Sequence, residues 1–211
     1  MSDAPSEAPA KGGRYHHGDL KAALVDAAIA LIAERGVRDF SLAEVSRRLG
    51  VTVAAPYRHF ADRDDLLAAV GIRALDAFAA ALAAEARDTD SPGQRLAGLA
   101  SAYVRFAGEQ RALFDTLFVT GIDKSRYPEF RHAFHALEET FRACALEVCG
   151  QDARAADALM AVTEATAHGH ATLLLDGSFD DEEDPVSSAA DQAANATLAL
   201  IKGRTALRRP S

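Results

Sequence analysis

The segment from Ser41 to Phe60, SLAEVSRRLGVTVAAPYRHF, admits few local structures. Ser41 stands where a helix N-cap is needed, and Glu44 three residues on completes the capping-box pattern. Phe40 before the cap and Val45 after it form the matching hydrophobic staple. Leu42, Val45 and Leu49 recur at i, i+3 and i+7, so one face of this helix is apolar. Gly50 supplies the left-handed residue that ends it. Thr52 is placed to cap a second helix, whose apolar residues are Val53, Pro56 and Phe60. Two short helices around a glycine-containing turn make the helix-turn-helix pattern.

That pattern implies contact with DNA, which the pooled net charge of −8 argues against. The distribution of charge reverses the argument. Residues 11–63 carry nine Lys and Arg against six Asp and Glu, a local net of +3, whereas residues 64–211 carry fourteen against twenty-three, a net of −9. A basic N-terminal module on an acidic body fits a chain that offers one end to phosphates. No apolar run of 18 or more residues is free of charge, so no membrane span is expected. The first twelve residues, MSDAPSEAPAKG, lack the apolar stretch of a signal peptide, and their composition predicts a disordered tail over 1–13. Cys144 and Cys149 make no disulfide framework and read as reduced thiols of a cytoplasmic protein, with a redox sensor as the alternative.

Periodic apolar spacing elsewhere is helical throughout, which predicts an all-α chain of about nine helices. The first carries Leu20, Leu24, Ala27, Ala28, Leu31 and Ile32 and closes at Gly36. The fourth is capped by Asp62 and carries Leu67, Gly71, Ala74, Phe78 and Leu82. Further helices are expected from Ser91-Pro92 to about Glu109, over Arg111–Val119, Ser125–Cys149 and Asp152–Leu175, and near Ser187–Leu207. The acidic run Gly177–Pro185 reads as a solvated connector. The expected domains are 14–63, a helix-turn-helix unit, and 64–211, a helical ligand-binding and dimerisation unit.

Tyr15 to Val70 resembles the DNA-binding domain of the tetracycline-repressor (TetR) family. The resemblance rests on the Gly36 break, the Ser41 start, the Leu49-Gly50-Val51 turn, and Tyr57-x-His59-Phe60 followed by Asp62-x-x-x-Leu66-Leu67. Tyr15-His16-His17-Gly18-Asp19-Leu20 and Ala54-Ala55-Pro56-Tyr57 are similar to a subgroup with a Trp-His-Gly pattern in its C-terminal domain. Here Ala167-His168-Gly169 and Leu173 to Gly177 fit the end of that pattern, although the chain has no Trp. The resemblance implies a homodimer, formed through the last two helices, that places two third helices in successive major grooves of a palindromic double-stranded operator. It implies phosphate contacts from Tyr57, His59 and Arg63, and base-facing positions at Thr52, Val53, Ala54 and Tyr57. None of those four bonds a base bidentately as Arg, Asn or Gln does. Recognition is therefore expected from thymine-methyl contacts by Val53 and Ala54, a polar contact from Thr52 or Arg58, and DNA shape. Ser41 is expected to cap and to touch a phosphate as well. Lys11 and Arg14 are expected in the minor groove or on phosphates. Arg47 and Arg48 face phosphates or solvent.

The family likeness also implies a small-molecule effector that releases a repressor from DNA. Phe78, Tyr103, Phe106, Phe114, Leu117, Phe118, Phe134 and Met160 are the candidate pocket wall. His132, His135 and Glu139 share a helix face at spacings that suit a metal edge, with His168 or His170 as a further ligand. No cofactor loop accompanies them. Two other functions compete: a DNA-binding regulator without a small ligand, and a small all-helical enzyme using Glu164, His168 and His170. The second lacks a nucleophile arrangement.

Overall fold

The computed structural model describes residues 17–85, 91–118 and 123–203. Its helices are α1 (His17–Arg35), α2 (Leu42–Leu49), α3 (Arg63–Glu85), α4 (Pro92–Glu109), α5 (Arg111–Phe118), α6 (Pro128–Val148), α7 (Ala153–Leu175) and α8 (Pro185–Lys202). Two single 3₁₀ turns, Pro56–Arg58 and Lys124–Arg126, complete the regular structure, and the described residues contain no strand. The all-α expectation holds. The expected tail, Lys11, Arg14, Val119 and Leu207 lie outside the described residues.

Caps set most boundaries. Ser91 and Gln94 form a reciprocal capping box at the start of α4, with Pro92 in its first turn. Asp152 accepts from Ala155 N–H at 3.1 Å and opens α7. The last helix starts two residues before the expected Ser187. Asp184 caps it by accepting from Ser187 N–H at 3.0 Å, which leaves Pro185 at the first helical position. The sixth helix likewise begins at Pro128, after a 3₁₀ turn has used Ser125.

The expected third helix differs most. Ala55 N–H donates to Thr52 O at 2.9 Å, Arg58 N–H to Ala55 O at 3.3 Å and His59 N–H to Pro56 O at 2.9 Å. These are i to i+3 bonds, so the segment is a 3₁₀ turn. Pro56 has no N–H to return to the Thr52 carbonyl, and Ala55 takes that carbonyl instead.

A continuous apolar core runs through the molecule. Near the N-terminus it is built from Leu24, Ala28, Leu31 and Ile32 of α1, Leu42 and Val45 of α2, Phe60, and Leu66 and Leu67 of α3. Farther along, α4 lies at the centre and packs against α3, α6, α7 and α8. Small residues make this possible: Ala97, Ala100 and Ala107 of α4, Ala156, Ala167 and Ala171 of α7, and Ala189, Ala190 and Ala193 of α8 are all buried. A methyl group at Gly108 would lie 2.9 Å from Val186 and 3.0 Å from Leu174, so α4 meets the end of α7 and the start of α8 at glycine distance. One helix, α3, is long and apolar enough to cross a membrane, and half of its most apolar stretch is buried within the fold.

Two contacts fix α3. A Cβ at Gly71 would fall 2.3 Å from the Phe130 ring, so α3 and α6 approach only because position 71 is glycine. At its start, Arg63 donates through Nε to Phe40 O at 3.1 Å and through its terminal nitrogens to Val37 O. Its guanidinium lies 4.6 Å from the Phe40 ring centroid. Replacing Gly71 with Ala should lower stability by about 1–3 kcal/mol, because the fully buried Phe130 must leave its place. Arg63→Ala should cost about 1–2 kcal/mol through loss of charge-assisted bonds to the turn before α2. Thermal and urea unfolding measure both. A Gly71→Ala protein as stable as wild type would show that the α3–α6 approach is not tight.

Candidate nucleic-acid interface and sensing core

The turn between α2 and the 3₁₀ segment is closed by local bonds. Ser41 Oγ accepts from Glu44 N–H at 3.3 Å and donates to Glu44 Oε2 at 3.0 Å. The Glu44 carboxylate also pairs with Arg35, tying α2 to the end of α1. Gly50, at φ 66°, lets its own N–H reach Arg47 O at 3.2 Å and the Val51 N–H reach Ser46 O at 3.0 Å. Arg48 makes a two-pronged bond to Glu34 on α1. Arg47 stays free of such a bond: its nearest carboxylate is Glu44 at 3.8 Å, and its side chain is 72% exposed.

From this frame the 3₁₀ segment projects a defined set of side chains. Pro56 and Phe60 are buried and anchor it. Thr52, Val53, Ala54, Tyr57 and Arg58 are exposed, and His59 and Ser41 are half-buried. Val53 at 54% and Tyr57 at 57% exposure join Leu173 as the exposed large apolar side chains among the described residues. Folding alone gives no reason to leave an isoalkyl group and a phenol ring uncovered side by side. Arg63, one turn beyond, is held by Val37 and Phe40 as described above.

A polar junction joins this reader to the rest of the chain. Asp62 caps α3, accepting from Asp65 N–H at 2.9 Å. Arg126, from the turn before α6, donates to Asp62 at 2.8 Å and lies 3.4 Å from Asp65. Tyr127 Oη donates to Asp65 at 2.9 Å. The Arg126 guanidinium and the capping N–H groups hold the Asp62 carboxyl below its ordinary range. The segment entering α6 thus grips the helix that follows directly on the reading turn.

Six of the eight expected pocket residues form one chain of ring contacts. Phe78 stacks on Phe106 at 4.5 Å and meets Tyr103 edge-on at 5.0 Å. Tyr103 meets Phe114 at 5.9 Å, Phe114 meets Phe118 at 4.7 Å, and Phe118 meets Phe134 at 6.5 Å. Leu117 is buried in the same core, and Met160 is half-buried against it. The expected wall leaves out the polar members. His168 lies among the rings, 5.8 Å from Phe114 and 5.1 Å from Phe118, with Nδ1 2.9 Å from Tyr103 Oη. Burial, and then the charge of Glu164, hold the Tyr103 phenol well above its ordinary pKa. Glu164 and His168 recur at i and i+4 on α7 beside an otherwise apolar stripe, a signal open to reading without coordinates.

His132 and Glu139 are exposed, and His135 Nδ1 is 3.4 Å from Glu138. No three His, Cys, Asp or Glu side chains among the described residues converge on a metal position. Burial pushes the Cys144 thiol up, opposite to the shift that activates a reactive cysteine.

Known proteins share this geometry. Residues 24–70 match the family model described as bacterial regulatory proteins, tetR family, and residues 96–197 match the tetracyclin repressor-like C-terminal domain. No curated protein matches. A protein with unknown function from Rhodococcus sp. RHA1 is 31% identical, with a TM-score of 0.71 over 88% of this chain and 96% of that one. The TetR family transcriptional regulator PfmR from Thermus thermophilus is 20% identical, with a TM-score of 0.64 over 83% of this chain and 97% of that one. RolR in complex with resorcinol is 23% identical, with a TM-score of 0.60 over 92% of this chain and 95% of that one. Helix-turn-helix unit and helical body together identify this chain as a member of the tetR family of bacterial regulatory proteins.

Proposed function

We propose that this transcriptional regulator is a repressor that binds a palindromic operator as a homodimer and is released by a small molecule. Residues 14–63 act as the reader and 64–211 as the sensing and dimerisation unit. The observation that carries the reading is the exposed pair Val53 and Tyr57 on a turn anchored by buried Pro56 and Phe60. Thymine methyls suit Val53 and Ala54, with Thr52 or Arg58 adding a polar contact. Tyr57, His59 and Ser41 approach phosphates, which set register. Arg63 adds charge near the backbone while it stays bonded to its carbonyls, and Arg14 continues the basic surface toward the N-terminus.

Dimerisation through α7 and α8 is supported by an uncovered face of small and apolar groups. Ala161, Ala165, Gly169 and Leu173 follow one another at i+4 spacing on α7, all exposed, with Leu173 at 49%. A methyl group at Gly169 would meet nothing in the single chain. The effector is assigned to the ring-lined core around Tyr103, and RolR, a neighbour of the same fold, holds the small aromatic molecule resorcinol. An effector must bind the DNA-free arrangement better than the DNA-bound one. The Arg126 and Tyr127 junction offers a route from α6 to the reader.

Affinity for an operator selected from random duplexes should fall roughly a hundredfold or more between about 50 and 200 mM salt, as released counterions demand. Tyr57→Ala and His59→Ala should weaken all duplexes alike, whereas Val53→Ala should change the preferred sequence. Absence of salt-sensitive duplex binding would refute the reader assignment. Gly169→Arg should give monomers in sedimentation at micromolar concentration with the helical signal intact; an unchanged dimer would place the interface elsewhere.

A further inference from the structure

The ring-lined core contains one carboxylate that nothing in the fold neutralises. Glu164 is half-buried on α7, one helical turn before His168. Among the described residues it has no hydrogen-bond or ion-pair partner. Its surroundings add a second acid, Glu138 of α6, the helix packed beside α7. Burial first, and then the Glu138 charge, raise the Glu164 carboxyl above its ordinary pKa. Two carboxylates and several ring faces with no neutralising base are an unusual combination for a settled core.

Access is present from the α6 side. A solvent-open hollow of about 520 Å³ is lined by Pro128, Arg131, His132, Phe134, His135 and Glu138. Phe134 touches Phe118, and Phe118 touches His168, so rings lead from the hollow inward. Arg131 lines the same hollow, but Glu138 lies seven residues on, two helical turns nearer the inner end of α6. The His168 Nδ1 is already engaged with Tyr103 Oη, which leaves ring faces and carboxylates as the open chemistry of this corner.

We propose that the corner bounded by Glu164, Glu138 and the rings of Tyr103, Phe118 and His168 binds an organic cation with an apolar body. This rests on the effector-regulated reading above and names the class of effector. Aromatic faces attract a weakly hydrated ammonium electrostatically, and a desolvated carboxylate adds a counter-charge that neutral and anionic molecules cannot use.

The test uses the full chain and three probes of similar size: phenyltrimethylammonium, its neutral isostere tert-butylbenzene, and the anion phenylacetate. Calorimetric titration should show the cation binding at least about tenfold more tightly than the isostere. Glu164→Gln should abolish that preference while leaving the isostere's affinity unchanged, and Glu138→Gln should reduce it in part. Melting curves of both variants establish that they fold. Equal or weaker binding of the cation, no detectable binding of it at millimolar concentration, tighter binding of phenylacetate, or a cation preference that survives Glu164→Gln would each overturn the proposal. Duplex binding of the probe-free protein is measured in parallel. If it is salt-sensitive while the probes fail, only the cation assignment falls; if it is absent, the regulator reading falls with it.

Discussion

Close approach along α3 is the constraint on which the other elements depend. Arg63 at its start closes on the carbonyls of Val37 and Phe40. Gly71, two turns on, admits the Phe130 ring of α6. Arg73 reaches back to Asp26 of α1 at 3.4 Å, and Phe78 enters the ring stack with Tyr103 and Phe106 of α4. One rigid rod therefore carries contacts to the reader and to the sensing core in alternation. A displacement at the Phe78 end has no soft joint in which to dissipate before it reaches Asp62, because interiors packed at this density move as pieces.

The junction at Asp62 and Asp65 gives that rod a second handle. Its bonds are charge-assisted and partly exposed, so their net worth is modest in water. Their importance is geometric. Asp62 both caps α3 and receives Arg126, so any shift of the segment before α6 acts on the first turn of α3, two residues from buried Phe60. The aromatic core supplies the other end of the same path through Phe118 and Phe134, the latter on α6.

Much of this is readable from the chain because the signals are local. The Ser41 cap, the left-handed Gly50, the Ser91 capping box and the anchor pair Pro56 and Phe60 each depend on residues within a few positions. The ring contacts of Phe78, Tyr103, Phe114 and Phe118 follow from helical periodicity. What the chain conceals is set by distant partners. Arg63 reads as a phosphate ligand until the carbonyls of Val37 and Phe40, more than twenty residues away, are seen beside it. His168 reads as a catalytic candidate until Tyr103, sixty-five residues away, is found bonded to its ring. The 3₁₀ form of the reading segment is hidden differently: the missing Pro56 donor is visible, but not that Ala55 claims the freed carbonyl.

That small substitution of one donor for another bears on how such a protein can diversify. The reading turn is held by backbone bonds, by the fixed φ of proline and by the burial of Pro56 and Phe60; Val53, Ala54 and Tyr57 take no part in its support. Residues at those positions can vary with little penalty to folding. Operator preference and fold stability are thereby nearly independent traits, and new target sequences lie within one or two substitutions that the scaffold will tolerate.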